Sequence, residues 1–217
     1  MKNQFNSHYL IFLFATLFIY SCGGNAYEVS FDEPQPAGES NLSKIPKRLH
    51  GNYLNLSDSS TLVIDDKIMK RNYNYNYLIL KDELDSTFLI SGDTLFNQYG
   101  EKHVFRQYGD TLLVQINTTD TLFNLNYDNV MRKFMGYYFI NNRLGETSWE
   151  VTKINLSNGF LKMSYVASEE SIKTLQSITE ANHDTIAPES YSVTKKQFKE
   201  FIKSNGFDIE ETYIRLK

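Results

Sequence analysis

Between residues 49 and 166 the apolar residues fall in short runs separated by turn formers, at intervals too brief for crossover helices. Parallel strands need connections of a dozen or more residues, so strands this close together must run antiparallel. The runs read as strands at residues 49–55, 61–64, 72–77, 88–91, 94–97, 104–107, 111–116, 121–125, 137–141, 149–156 and 160–166. Ser157-Asn158-Gly159 joins the last two, and Asn-Gly tolerates the positive φ of a tight hairpin turn. Abundant Tyr and Phe (15 of each) with only four Pro suit pleated, half-buried surfaces. The pattern changes after residue 167. Ser168 followed by Glu169 and Glu170, with Ile172, Leu175 and Ile178 on one stripe, predicts an amphipathic helix. Thr194-Lys-Lys-Gln197 fits a capping box that opens a second helix, with Phe198, Phe201 and Ile202 buried and Asn205-Gly206 closing it. Residues 207–216 read as a final strand whose Glu210-Glu211 suggests an edge. The expected fold is α+β and predominantly β: an antiparallel meander able to roll into a barrel, two C-terminal helices and a final edge strand, as one domain over residues 44–217.

The amino terminus sets location. Lys2 precedes an apolar run over residues 9–20, which as a helix would rise only about 18 Å against a hydrocarbon core of roughly 30 Å. That is a signal-peptide core, too short to be a permanent span. Ile19-Tyr20-Ser21-Cys22-Gly23 follows, and Cys22 is the single cysteine of the chain. This stretch resembles the lipobox of bacterial lipoproteins, with Tyr20 bulkier than the usual occupant. The resemblance implies a signal peptide over residues 1–21, diacylglyceryl transfer to the Cys22 thiol, cleavage before it and acylation of the new amine, which together anchor the chain stably. Gly23 after the cysteine resembles the outer-membrane sorting pattern of enteric bacteria. Residues 22–43 then carry Glu28, Asp32, Glu33 and Glu39 without Lys or Arg, and are expected to form a flexible acidic tether. The expected place is the cell envelope, on the outer membrane, held by a lipid anchor.

Chemistry-bearing motifs are sparse. A formal charge of −4 with no basic block argues against nucleic-acid binding. One cysteine precludes a disulfide framework, and His8, His50, His103 and His183 lie far apart with no metal-ligand spacing. Nucleophile elbows and phosphate-binding glycine loops are absent from the sequence, so no cofactor is implied. Glu146 and Glu150, flanking Trp149, offer paired carboxylates for an envelope hydrolase, although on a strand both would face away from the ring. Tyr73, Tyr75 and Tyr77 alternate strictly with Asn, which puts three phenol rings on one strand face. Such a row can stack a sugar, an apolar ligand or an envelope protein; the alternative is ordinary packing under the helices. A non-enzymatic binding or interaction module is the reading these residues favour, with a structural or immunity-type lipoprotein as the other non-catalytic option.

Three resemblances complete the reading. Leu49-His-Gly51-Asn-Tyr53 resembles the first-strand motif of lipocalin-like barrels. Arg132-Lys-Phe-Met-Gly136-Tyr-Tyr-Phe-Ile-Asn141 with Trp149-Glu-Val151, the capped helix and the terminal strand resembles small Gram-negative envelope lipoproteins, from which no site residues follow. Asp85-Ser86-Thr87, Asp93-Thr94-Leu95, Asp110-Thr111-Leu112, Asp120-Thr121-Leu122 and Asp184-Thr185-Ile186 repeat one triplet. It resembles the acceptor of a general envelope O-glycosylation system, implying Thr185 first, then Ser86, with Thr94, Thr111 and Thr121 as further sites. Turn chemistry explains the same triplets without sugar, since an Asp carboxylate caps backbone N–H groups where a strand begins.

Overall fold

The computed structural model describes residues 29–179 and 190–217. β1 (Gly51–Asn55), β2 (Thr61–Ile64) and β3 (Ile68–Leu80) open the sheet, and β4 (Leu89–Ser91), β5 (Thr94–Phe96) and β6 (Lys102–Tyr108) lead into β7 (Thr111–Asn124). β8 (Val130–Phe134), β9 (Tyr137–Gly145), β10 (Ser148–Ser157) and β11 (Phe160–Tyr165) continue the meander. Helices α1 (Glu169–Thr179) and α2 (Lys195–Lys203) precede β12 (Ile209–Arg215). The twelve strands form one sheet in the order β4-β5-β6-β7-β3-β2-β1-β12-β11-β10-β9-β8, antiparallel throughout. This is the mainly antiparallel α+β architecture the strand spacing requires.

Two long strands divide the sheet into a body and an arm. β3 and β7 pair along their whole length, from Ile68↔Asn124 to Leu80↔Thr111. β2 flanks β3 only over Met69–Asn72, and β6 flanks β7 only over Thr111–Val114. Between those limits the two strands form a ribbon whose margins are both open among the described residues. At the body end the sheet rolls, so that Tyr53, Leu62, Met69, Phe123, Ile140 and Met163, from six strands, share one buried core. At the arm end Leu95, Phe105, Leu112 and Val114 form a separate small core, covered by Tyr77, Ile79, Leu84 and Phe88. Among the described residues no ladder joins β8 to β7. The seam is bridged instead by Asn142 Nδ2 on β9, which donates to Leu122 O on β7 at 3.1 Å, while Leu42 N donates to Met131 O on β8 at 2.8 Å.

The helices cover the outside of β9 and β10, whose strands are therefore buried on both faces. Tyr138, Ile140 and Ile154 point into the body, while Phe139 and Val151 meet Leu175, Phe198 and Phe201 from the helices. Phe198 is the hub: its ring centroid lies 5.1 Å from Phe139, 5.9 Å from Phe207 and 6.1 Å from Phe31, mostly edge-to-face. The capping box holds as the sequence predicts, with Thr194 Oγ1 accepting from Gln197 N. Closure differs in detail. Asn205 takes the left-handed position (φ 55°), and Gly206 N donates to Phe201 O at 2.9 Å in a Schellman arrangement.

Three expectations are corrected. Residues 29–43 are packed onto the domain and do not form part of a free tether: Phe31 is fully buried and exchanges backbone hydrogen bonds with Trp149 on β10. Arg132 reinforces this, donating to the Pro34 and Pro36 carbonyls and to Asn41 Oδ1. Acidity and proline content concealed two anchors, Phe31 and Gln35, the latter fully buried and bonded through its N–H to Asn141 Oδ1 at 2.6 Å. Second, the runs at 111–116 and 121–125 are one strand. The polar stretch between them sits on the open ribbon, where neither face needs to be apolar. Third, β12 is an edge only in its acidic half. Residues 209–211 pair with β11 alone, whereas from Thr212 onward the strand also bonds to the β1 side.

Candidate functional site

The body's inner face changes from apolar to polar one layer above Met69, at Arg71. This guanidinium is almost fully buried, on β3, and it reaches across the rolled sheet to β12. Its Nη2 donates to Glu211 Oε2 and to the Tyr213 hydroxyl, and its Nη1 donates to the Tyr73 hydroxyl at 3.3 Å. Glu211 Oε2 also accepts from Tyr213 OH at 2.7 Å and from Tyr165 OH at 3.1 Å. One carboxylate thus gathers a cation and two phenols from three strands. Arg71 Nε, by contrast, has no hydrogen-bond partner among the described residues. The Arg71 Cζ lies over the Tyr213 ring, 5.7 Å from its centroid.

The electrostatics of this cluster hold the phenols neutral and the guanidinium charged. Burial pushes the Tyr165 and Tyr213 phenols well above their ordinary value, and the Glu211 charge adds to the rise. Burial alone would lower the Arg71 guanidinium, but its bonds to Tyr73 and Glu211 keep it above normal. What the cluster supplies is a neutralised ion pair ringed by hydroxyl donors.

Above Arg71 the same face of β3 carries the tyrosine row. β3 runs unbroken through Tyr73, Tyr75 and Tyr77, and their cross-strand partners on β7 are Thr118, Ile116 and Val114. The three rings share one face, as the alternation demands, but their settings differ. Tyr73 touches Arg71, Tyr77 packs against the arm core, and Tyr75 between them is 54% exposed. Since the helices dock on β9 and β10, the row does not lie beneath them. It spans the saddle between body and arm.

The other sites read from the sequence are scattered. Cys22 and Thr185 lie outside the described residues. Ser86 is exposed in the turn before β4, where Asp85 accepts from Thr87 N at 2.8 Å. Thr94 and Thr111 begin strands, and Thr121 sits inside β7, so the Asp120 triplet marks no turn. Glu146 is in the exposed turn between β9 and β10, while Glu150 lies on β10 near Asn142 Nδ2 (3.5 Å), so the two carboxylates do not share a strand face. Trp149 is half-buried, with Arg143 5.8 Å over its ring. A depression of about 260 Å³ on the outer face of the arm is lined by Asn76, Val104, Arg106, Leu113 and Gln115. It is smaller than the roughly 300–1,000 Å³ typical of a small-molecule site. Among the described residues no three His, Cys, Asp or Glu side chains converge as a metal site would need, and no helix is long and apolar enough to cross a membrane.

Sequence reasoning found the tyrosine row and missed the cluster beneath it. Arg71 and Glu211 are 140 positions apart, and Glu211 read as an edge acid. The available signal was the parity of Arg71 with the three tyrosines, which puts it on the same face. No protein-family model, no curated protein and no solved structure matches this chain. The class that the fold defines is therefore architectural: a rolled antiparallel body with a projecting β arm and two helices on its back.

Proposed function

We propose that this chain is a lipid-anchored, non-enzymatic binding module of the cell envelope, tethered to the outer membrane through Cys22. The anchor reading rests on the apolar run that ends at Ser21-Cys22-Gly23. The binding reading rests on one observation: Tyr75 stands half-exposed between two partly buried tyrosines on a face held at both ends by packed cores. A rigid aromatic platform with hydroxyls beside it suits the faces of a sugar or a short apolar segment of an envelope protein. The raised phenol pKa values at its base support retention over proton transfer. Of the triplets among the described residues, Ser86 is the best glycan acceptor, because its exposed turn position costs no strand pairing.

Fractionation and cross-linking test the two halves separately. Cys22→Ala should leave the protein uncleaved or released from membranes; a processed, membrane-bound variant would refute the anchor. A photo-cross-linking amino acid at position 75 should capture an envelope glycan or protein in intact cells, while the same probe at position 146 should not. Equal or no capture at both positions would refute the tyrosine face as the binding surface. Intact-mass analysis of native protein with and without Ser86→Ala decides the glycan.

A further inference from the structure

The ribbon leaves one margin of β3 open, and this margin has the properties of a pairing site. β2 stops at Thr61↔Asn72, and at the other end Leu80 N is met by Glu83 Oε2 at 3.1 Å. Among the described residues, 73–79 have a strand partner on the β7 side only. Lys81 N donates to Asp110 O on that side. Alternation along a strand then directs the N–H and C=O groups of Tyr75, Tyr77 and Ile79 toward β7, and those of Asn74, Asn76 and Leu78 toward the open margin. Exposed margins of this kind are normally blunted by charge, proline, a bulge or brevity. Here the window Tyr73-Asn-Tyr-Asn-Tyr-Leu-Ile79 holds no charge and no proline, and the β3–β7 bulge lies outside it, at Met69/Lys70. Asn74, Asn76 and Leu78 are all exposed.

We infer that this margin pairs with the same margin of a second copy, edge to edge and antiparallel, about a twofold axis through Asn76. The window itself selects that occupant. Both of its ends are blocked, by β2 and by the Glu83 contact, and its midpoint is Asn76. An antiparallel pairing centred there fills the window without overrunning either end. It sets Tyr75 of one copy opposite Tyr77 of the other and Tyr73 opposite Ile79, each twice by symmetry, and these are favourable cross-strand pairs. The outward-facing groups of Asn74 and Leu78 fall opposite each other, and those of Asn76 meet their own copies. About six main-chain hydrogen bonds form, two per bonded pair, over a length of roughly 24 Å. With no charge in the window, no like charges are opposed. The two tyrosine faces become one continuous surface across the join.

The test uses the full chain in mild detergent, followed by sedimentation velocity and native mass spectrometry across a concentration series. Wild type should show a concentration-dependent dimer. Asn76→Lys, on the exposed face away from the tyrosines, opposes like charges at the axis and should remain monomeric where wild type is dimeric. Asn76→Asp should do the same, and an equimolar mixture of the two should restore a dimer containing one of each. Asn76→Pro removes only an outward N–H and should also abolish dimers. Circular dichroism identical to wild type shows that each variant is folded. Wild type that stays monomeric overturns the inference. So do dimers that survive in both the Lys and Pro variants, because another surface is then responsible. Monomeric wild type whose Asn74, Asn76 and Leu78 amides resist hydrogen exchange also overturns it, since something other than a second copy then covers the margin.

Discussion

At the scale of single residues, the Arg71–Glu211 pair is where most is at stake. The arginine is nearly dry and the carboxylate keeps partial contact with water. Removing one partner of a buried pair leaves a charge with nothing to replace its solvent, at a cost of about 3–5 kcal/mol. Glu211→Gln should therefore destabilise the chain by about 3 kcal/mol in urea titrations, the lower end because water still reaches that side chain. Arg71→Met combined with Glu211→Leu should recover most of the loss, since neither charge is then stranded. Titration of the phenols has a definite sign. Tyr165 and Tyr213 have folded-state pKa values above the unfolded value of about 10, through burial and then through Glu211. Their stabilising contribution is complete below that pH. It is lost as the pH rises further, because the unfolded chain releases protons that the folded chain retains. The urea midpoint should fall steeply above about pH 10, and Tyr165→Phe should make the fall shallower. An alkaline limb unchanged in Tyr165→Phe would mean the hydroxyl does not carry the linkage.

At the scale of elements, what was legible depended on whether the deciding chemistry was local. Asn158-Gly159 announced its hairpin because both residues accept positive φ, and they adopt 51° and 82°. Met135-Gly136 makes a turn with the same signs, at 50° and 85°, but methionine carries no such signal, so the sequence marks β9 and not β8. The capping box was visible for the same local reason. The Arg71 cluster and the docking of residues 29–43 were not, because each depends on partners more than a hundred positions away. Gly206 belongs between these cases. Its place after a helix was legible, whereas its purpose was not: Asn205 supplies the left-handed turn, and Gly206 makes room for a ring. A Cβ there would come within 2.1 Å of the Phe201 ring, which is fully buried. Gly206→Ala should cost about 1–3 kcal/mol by overpacking, more than Thr194→Ala, for which loss of the cap costs about 1 kcal/mol. Thermal melts of the two variants side by side decide it; equal shifts would mean that Phe201 moves aside freely.

At the scale of the whole molecule, two cores of unequal size share a pair of strands. The body buries residues from nine strands, its seam is bridged by Asn142, and the helices lock Phe31 against β10. The arm has five buried apolar residues, and its outer strand β4 is short and exposed. Cooperative units follow contiguous buried contacts, and a region with few of them opens at a lower free energy. Among the described residues the only ladder between the two is β3–β7, and its middle is a ribbon open on both sides, so loss of the arm exposes little of the body. The arm should therefore open sub-globally. Amides of β5, β6 and the first residues of β7 should exchange faster than those of β1, β9 and β10, by a margin that added urea narrows as global unfolding takes over. Phe105→Ala sharpens the test. It removes a ring from the arm core at a typical cost of about 3–5 kcal/mol, which approaches or exceeds what so small a core can hold. Exchange in β5 and β6 should then approach the unprotected rate while β9 and β10 stay protected. If the variant instead loses protection uniformly, body and arm fold as one unit, and the open ribbon between them transmits stability that its hydrogen bonding does not suggest.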